Sequence, residues 1–407
     1  MLAQARLHGH IGGGMLEPAR PPQQHVDRQV TATIEGNRLE LIETGEGRMQ
    51  ALLEVIDGAR TSVRLLFYIF NNDAAGARVR DALVEAAMRG VEVKLLLDGF
   101  GCGNVQPSFF AGLAKAGGSF CLFHPKYGRR YLVRNHQKLA VADGRLAIIG
   151  GANIHSDYLT DQGYRHWRDL WLSVDGPAAK TACDYFDALY RWTNKSDATL
   201  RSLRRMIVRF SEHHGPLQWK FSGPLNPRNP WPRSFARDLR TARQLDVISA
   251  YFSPPRFLLR RIGQMARRGE VRIITAGKAD NEATIGAARH NYARMLRNGV
   301  RMFEYQPARL HTKLMMIDDI VHIGSANFDF RSVYINLEIM LRIDDKAFAA
   351  AMHGYFRREL ALSEEITPEI HAKRATLWKR FKWTLSHWLV TSMDYTVTRR
   401  LNLGSEK

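Results

Sequence analysis

The chain predicts a duplicated α/β architecture, and three observations carry that reading. An apolar stretch headed by two basic residues, NHQKLAVADGRLAIIGGANI (135–154), returns as LHTKLMMIDDIVHIGSANFD (310–329). His136 and Lys138 are matched by His311 and Lys313, Asp143 by Asp318, and Gly150-Gly151-Ala152-Asn153 by Gly324-Ser325-Ala326-Asn327. Upstream of each copy, strand-like and helix-like segments alternate, the pattern of layered α/β domains. A repeat of about 180 residues is too long for a solenoid unit and marks duplication of a whole domain.

Taken in order, residues 1–30 are rich in Gly, Pro, Gln and His and lack the apolar core of a signal peptide, so they read as a disordered arm. SVRLLFYIF (62–70) and LDVISAYFSP (245–254) read as strands ending near Tyr68 and Tyr251. Each is followed by a stretch with apolar residues at three-to-four spacing, AGARVRDALVEAAMRG and PRFLLRRIGQMARRG. These stop at Gly90 and Gly269, and VEVKLLLD and EVRIITAG follow as strands. A further helix in each copy (SFFAGLAKAGG; HNYARMLRNGV) leads through CLFHP or MFEYQP to the His strand, and the turn beyond it is one residue shorter in the second copy. The expected division is an arm (1–30), a first half (31–195), a linker (196–235) holding the Pro-rich GPLNPRNPWPRS, a second half (236–365) and an amphipathic C-terminal segment (366–407).

Of the 407 residues, 59 are Lys or Arg and 40 Asp or Glu, a formal net charge of +19 that favours polyanions: nucleic acid, anionic lipid headgroups or phosphorylated substrates. Hydrophobic content of 45% excludes a disordered chain. Cys102, Cys121 and Cys183 form no CxxC and no ligand cluster, which fits a reducing cytosol. No run of 18 apolar residues predicts a spanning helix.

On a strand, residues i and i+2 face the same side, so His136 with Lys138, and His311 with Lys313, point into one space. Face to face, the two copies offer two His, two Lys and two Asn (Asn153, Asn327). Lysines and amides suit the non-bridging oxygens of a phosphodiester. Two imidazoles suit nucleophilic and acid–base roles. Asp143 and Asp318 complete the repeated catalytic motif, but seven residues beyond their His they face the other way and are expected to brace it through ion pairs. No metal and no cofactor is expected, the lysines supplying positive charge.

Paired H-x-K-x(4)-D motifs followed by G-[GS]-x-N resemble the phospholipase D superfamily, and the flanking FYIFNNDAAG, LLLDGFG, WRDLWLSVDGPAA, YARMLRNGVRMFEYQP and YINLE resemble bacterial cardiolipin synthases of the type without N-terminal transmembrane helices. The resemblance spans about residues 37 to 345. It implies two α/β/α sandwich halves around a pseudo-two-fold axis with one shared site. It also implies a ping-pong reaction, with His136 as nucleophile and His311 as general acid/base. A carboxylate behind each His is implied too: Asp169 and Glu338 match those places, with Ser325 in the same shell and Asp169 as the expected partner of His136. The implied chemistry joins two phosphatidylglycerol molecules into cardiolipin and glycerol, at the cytoplasmic face of a bacterial membrane, with nucleic acid an unlikely partner. A hydrolase or nuclease of the same superfamily is the alternative, and a non-catalytic binding module the weakest reading.

Weaker signals remain. Leu377, Trp378, Phe381, Leu385, Trp388 and Leu389 share roughly one helical face, which suits either an interfacial membrane helix or docking on the protein itself. RSLRRMIVRF (201–210) reads as a basic face, DGFGCG (98–103) as a tight turn near the site, His166 as close to the mouth, and Tyr68 and Tyr305 as core aromatics.

Overall fold

The computed structural model describes residues 30–124, 133–163, 165–224, 228–278 and 282–392. Except for Val30, the expected arm lies outside the described residues, as does the C-terminal segment beyond residue 392.

The first sheet contains β1 (Thr31–Ile34), β2 (Asn37–Ile42), β3 (Ser62–Phe67), β4 (Glu92–Asp98), β5 (Ser119–Phe123), β6 (Leu139–Ala142), β7 (Leu146–Gly150) and β8 (Trp171–Asp175), in the spatial order β1-β2-β8-β7-β6-β3-β4-β5. The second contains β9 (Leu217–Ser222), β10 (Gln244–Ser249), β11 (Glu270–Ala276), β12 (Arg301–Tyr305), β13 (Lys313–Ile317), β14 (Ile320–Gly324), β15 (Glu338–Asp344) and β16 (Ser363–Ile366), in the order β9-β15-β14-β13-β10-β11-β12-β16. Six strands correspond one to one, β8-β7-β6-β3-β4-β5 with β15-β14-β13-β10-β11-β12, which is the duplication expected from the repeat. In both, the first three strands in sequence run parallel and the motif hairpin adds antiparallel to them.

Buried on both faces, the central strands are near-continuously apolar. The outer face of the first sheet is covered by α1 (Gly45–Asp57) and α2 (Ala74–Met88), whose Leu52 and Leu83 pack with Leu65 and Leu95. Between the halves lie α3 (Ala179–Asn194) and α4 (Leu200–Phe210). The second sheet is covered by α5 (Arg256–Ala266) and α6 (Glu282–Arg297), whose Ile262 and Met295 meet Val247 and Ile273. A single core joins the two sheets, with Leu139, Ile149 and Leu172 in the same cluster as Leu314, Ile323 and Leu341, together with Phe348 and Phe356 of α7 (Lys346–Ala361). The halves therefore meet through buried apolar surface rather than through a tether.

Residues 196–235 differ from the expected linker. They carry α4, the edge strand β9 and a shorter helix, Pro230–Asp238. β9 pairs antiparallel with β15, from Leu217 opposite Ile343 to Ser222 opposite Glu338, and its Trp219 and Phe221 are fully buried. The Pro-rich run misleads because Pro230 occupies the first turn of a helix, where its missing N–H costs nothing.

Beyond α7, the helix α8 (Leu377–Ser392) lies against α6. Among the described residues no helix is long and apolar enough to cross a membrane.

Candidate active site

Each motif strand begins where its sheet meets the other half. Asn135 forms a parallel bridge with Leu337, closed by His136 N donating to Leu337 O (3.0 Å) and Leu337 N donating to Arg134 O (2.8 Å). The second copy repeats this: Arg309–Leu310 pairs parallel with Trp167–Arg168, and His311 N donates to Arg168 O (2.8 Å). Each His segment is thus stitched to the segment of the opposite half that carries a carboxylate.

The consequence corrects the expected pairing. His136 Nδ1 lies 3.0 Å from both oxygens of Glu338, and His311 Nδ1 lies 2.6 Å from Asp169 Oδ2. Asp169 serves the histidine of the other half, not His136. Sequence distance suggested a local pair, but the parallel stitching brings Asp169, one residue past Arg168, beside His311. With Nδ1 held by a carboxylate, the Nδ1–H tautomer is favoured and Nε2 carries the lone pair.

Both rings line one cavity of about 140 Å³, shared with Tyr68, Asn153, Tyr158, Tyr251, Asn327 and three guanidinium groups, Arg134, Arg309 and Arg331. Tyr68 stacks obliquely on His136 at 5.1 Å, so it is a site aromatic rather than a plain core residue. Tyr158 and Trp167 flank His311 at 5.0 and 5.4 Å. Desolvation, with the neighbouring lysines adding to it, outweighs the opposing pull of Glu338 and Asp169 and leaves His136 at about 4 and His311 at about 3. Both imidazoles therefore rest neutral at pH 7.

The two lysines are 1% exposed. Lys138 Nζ donates to His136 O at 2.6 Å, and Lys313 Nζ donates to His311 O. Burial lowers Lys138 to about 7 and Lys313 to about 8. Burial alone would raise Asp169, but Lys313 and His311 hold it below the usual carboxylate range. Two lysines and two carboxylates surround the neutral imidazoles, and Arg134, Arg309 and Arg331 line the cavity together with Asp157 and Asp329.

Asn153 and Asn327 both line the cavity. Asn153 Oδ1 accepts from Ile69 N (3.1 Å), which turns its amide NH₂ away from that bond. Ser325 Oγ donates to Glu338 (2.5 Å), and Ser332 Oγ adds a second donor (2.8 Å). The matching Gly151 has no such room: a Cβ there would stand 2.5 Å from Asp169 Oδ1. The G-[GS] pair thus lies directly behind each carboxylate.

Asp143 and Asp318 are not part of the cavity, which corrects their inclusion in a catalytic set. Each occupies the left-handed region, at φ 52° and 49°, in the turn of its motif hairpin. Asp143 accepts from the backbone N–H groups of Arg60, Thr61 and Ser62, and Asp318 from those of Arg243 and Gln244. They brace the entry of β3 and β10 through amides, not through the ion pairs expected. Asp tolerates this conformation because its short side chain bonds locally.

Sequence reading missed several supports. Arg134 and Arg309 precede their His by two, so the repeat is R-x-H-x-K, and each Arg lines the same cavity as its His, a signal that period-two alternation carries. Arg48 of α1 is fully buried and donates to the carbonyls of Tyr158, Trp167 and Asp169, fixing the Asp169 segment. Arg168 pairs with Glu43 and Glu359, tying the first half to α7. Asp98, raised to about 6 by burial, accepts from Phe100 N, Gly101 N and Asn135 N, so DGFGCG is a turn that anchors the motif strand. Of the unassigned histidines, His155 lines the cavity, His166 bonds Gly163 O on the half-exposed surface, and His322 is a core residue against Asp238.

A family model described as "Cardiolipin synthase, PLD-like domain" matches residues 52–190 and 237–360. The chain belongs to the phospholipase D-like cardiolipin synthase family. Cardiolipin synthase of Listeria monocytogenes serotype 4a (strain HCC23) is 31% identical over 362 residues, spanning 87% of this chain and 75% of that protein. Cardiolipin synthase A of Pseudomonas aeruginosa (strain LESB58) is 31% identical over 350 residues, 83% of this chain and 70% of that one. The crystal structure of phosphatidylserine synthase from Haemophilus influenzae Rd KW20 superposes with a TM-score of 0.69 at 14% identity, covering 88% of this chain and 95% of that one, and shares the fold. The chain is accordingly an enzyme of the phosphatidyltransferase type.

Proposed function

We propose that this phosphatidyltransferase makes cardiolipin: it moves a phosphatidyl group from one phosphatidylglycerol to the free glycerol hydroxyl of another and releases glycerol. The observation that carries this reading is the pair of neutral histidines in one cavity, each held at Nδ1 by a carboxylate of the opposite half.

In the first step Nε2 of His136 attacks the donor phosphorus and the bond from phosphorus to the glycerol oxygen breaks. His311, in its protonated form, gives that oxygen its proton, and the phosphatidyl group rests on His136. In the second step neutral His311 takes the proton of the incoming hydroxyl, whose oxygen attacks phosphorus as the P–N bond breaks. His136 returns to its starting form and His311 is again protonated. His311 takes the proton it needs from solvent as substrate binds, because an anionic phosphodiester in the cavity offsets Lys138 and Lys313 and raises the imidazole. Lys138, Lys313, Asn153 and Asn327 are the groups assigned to the non-bridging oxygens, whose charge grows in the transition state. Glu338 and Asp169 orient the rings and stabilise each imidazolium as it forms, as the third member of a triad does. The lipid substrates place the reaction at the membrane surface, and the cytoplasmic face is the reading we adopt.

Purified protein incubated with phosphatidylglycerol liposomes tests this. Cardiolipin with equimolar glycerol is expected. Phosphatidic acid alone would mark a hydrolase, and cleavage of plasmid DNA without change in lipid would sink both lipid readings. His136→Ala and His311→Ala should each fall below about one thousandth of wild-type turnover.

A further inference from the structure

Beside the catalytic cavity lies a second, larger concavity of about 1370 Å³, formed by α5, α6 and α8. Its charged lining is of one sign: Arg256, Arg260, Arg294 and Arg297 face it with no carboxylate among the lining residues. Among the described residues none of the four forms a salt bridge. The rest of the lining mixes apolar and aromatic groups, among them Phe257 of α5 and Trp388 of α8, with uncharged polar ones such as Asn291 and Thr384. A basic floor beside aromatic walls fits an amphiphile with an anionic head better than a soluble anion, which would have no use for the apolar surface.

α8 links this concavity to an exposed apolar surface. One side of the helix is committed to the protein: Trp383 is buried, His387 stacks on His290 at 4.5 Å, and Ser386 sits so close to Gly286 that a Cβ there would meet its Oγ at 2.7 Å. The opposite side exposes Leu377, Trp378, Phe381, Leu385 and Trp388 by 44–86%. At 100° per residue these five fall within an arc of about 100°, a continuous apolar stripe. Lys379, Arg380 and Lys382 flank it on the exposed surface. At its far end Val390 lines the catalytic cavity and the next residue, Thr391, lines the basic concavity. The helix is therefore the shared wall of both.

We propose that the concavity between α5, α6 and α8 is a second lipid-binding site, which takes an anionic phospholipid from the bilayer with its phosphate among Arg256, Arg260, Arg294 and Arg297 and its chains beside Phe257 and Trp388. The bound lipid holds the apolar stripe of α8 in the interface and the catalytic mouth against the membrane. It is not the lipid being transferred, and the site stands apart from the transfer chemistry.

The test uses the full chain. Partition onto phosphatidylcholine vesicles with roughly 30 mol% phosphatidylglycerol is measured by co-sedimentation, in a His136→Ala background so that vesicle composition stays constant. Arg256→Gln/Arg260→Gln and Arg294→Gln/Arg297→Gln should each lower the partition coefficient by about tenfold or more, and vesicles of phosphatidylcholine alone should bind none of the chains. With a wild-type His136, the same pairs should leave turnover of monomeric short-chain phosphatidylglycerol unchanged. Arg201→Gln/Arg205→Gln on α4 removes equal charge from exposed positions and should change binding less than about twofold. Equal loss in that control, or wild-type binding by both groove variants, overturns the site. If the expected binding pattern appears while wild type fails to turn over any phosphatidylglycerol, the second site holds and the transfer reading fails.

Discussion

At the scale of single residues, catalysis rests on where protons sit. His136 and His311 rest neutral because burial and two lysines outweigh their carboxylates. Replacing a carboxylate by its amide keeps the shape of the contact and removes the charge that fixes the tautomer. Glu338→Gln and Asp169→Asn should each reduce kcat by about 10²–10⁴ with little change in KM, measured on monomeric short-chain phosphatidylglycerol. The lysines set a pH limit. Their pKa values, lowered to about 7 and about 8, mean that each loses its proton as pH rises through that range. Positive charge then leaves the site, so kcat/KM should decline across pH 7–8 and beyond, with apparent values belonging to the coupled pair. A flat profile to pH 9 would contradict the role given to them. The buried histidines also couple to stability. Their folded pKa values lie below the 6.5 of the unfolded side chains, so the unfolded chain takes up protons the folded one refuses. Their contribution therefore weakens stability as pH falls below 6.5 and has its full effect below about 3.

At the scale of elements, the motif hairpin separates chemistry from architecture along one strand. His and Lys head β6 and β13, while Asp143 and Asp318 close the far turns and collect amides from the start of β3 and β10. Asp143→Ala should cost about 1–3 kcal/mol of stability by leaving those amides without an acceptor, read as a lower Tm or denaturation midpoint. Turnover per folded molecule should stay within about twofold of wild type, since the residue touches nothing in the cavity. Much of this level was legible in sequence. Repetition exposed the duplicated strand–helix order, and period-two alternation put His136 with Lys138 on one face. What stayed hidden depended on contacts between segments far apart in sequence. The exchange of Asp169 and Glu338 between halves arises from two short parallel bridges that no local pattern announces. β9 was hidden by a neighbouring Pro-rich run, and Arg48 by its resemblance to any basic residue on a helix. The dual nature of α8 was half visible: its apolar face was plain, but not that the other face docks on α6.

At the scale of the molecule, neither half contains both members of a histidine–carboxylate pair. Each supplies a histidine to a carboxylate on the other, and the core between the sheets fixes their distance. The duplicated chain thus does within one polypeptide what two separate copies would have to do by association. Mixing His136→Ala with His311→Ala protein should restore no turnover, because the intact His of each chain faces a damaged partner in its own cavity; recovery would place the site between chains. The most direct measurement is peptide mass spectrometry of the His311→Ala chain after prolonged incubation with phosphatidylglycerol. The account predicts a phosphatidyl group on His136, at least about tenfold less of it when Glu338→Gln is added, and little change when Asp169→Asn is added instead. An adduct on another residue, or one that depends on Asp169 rather than Glu338, would contradict the crossed pairing and the two-histidine mechanism built on it.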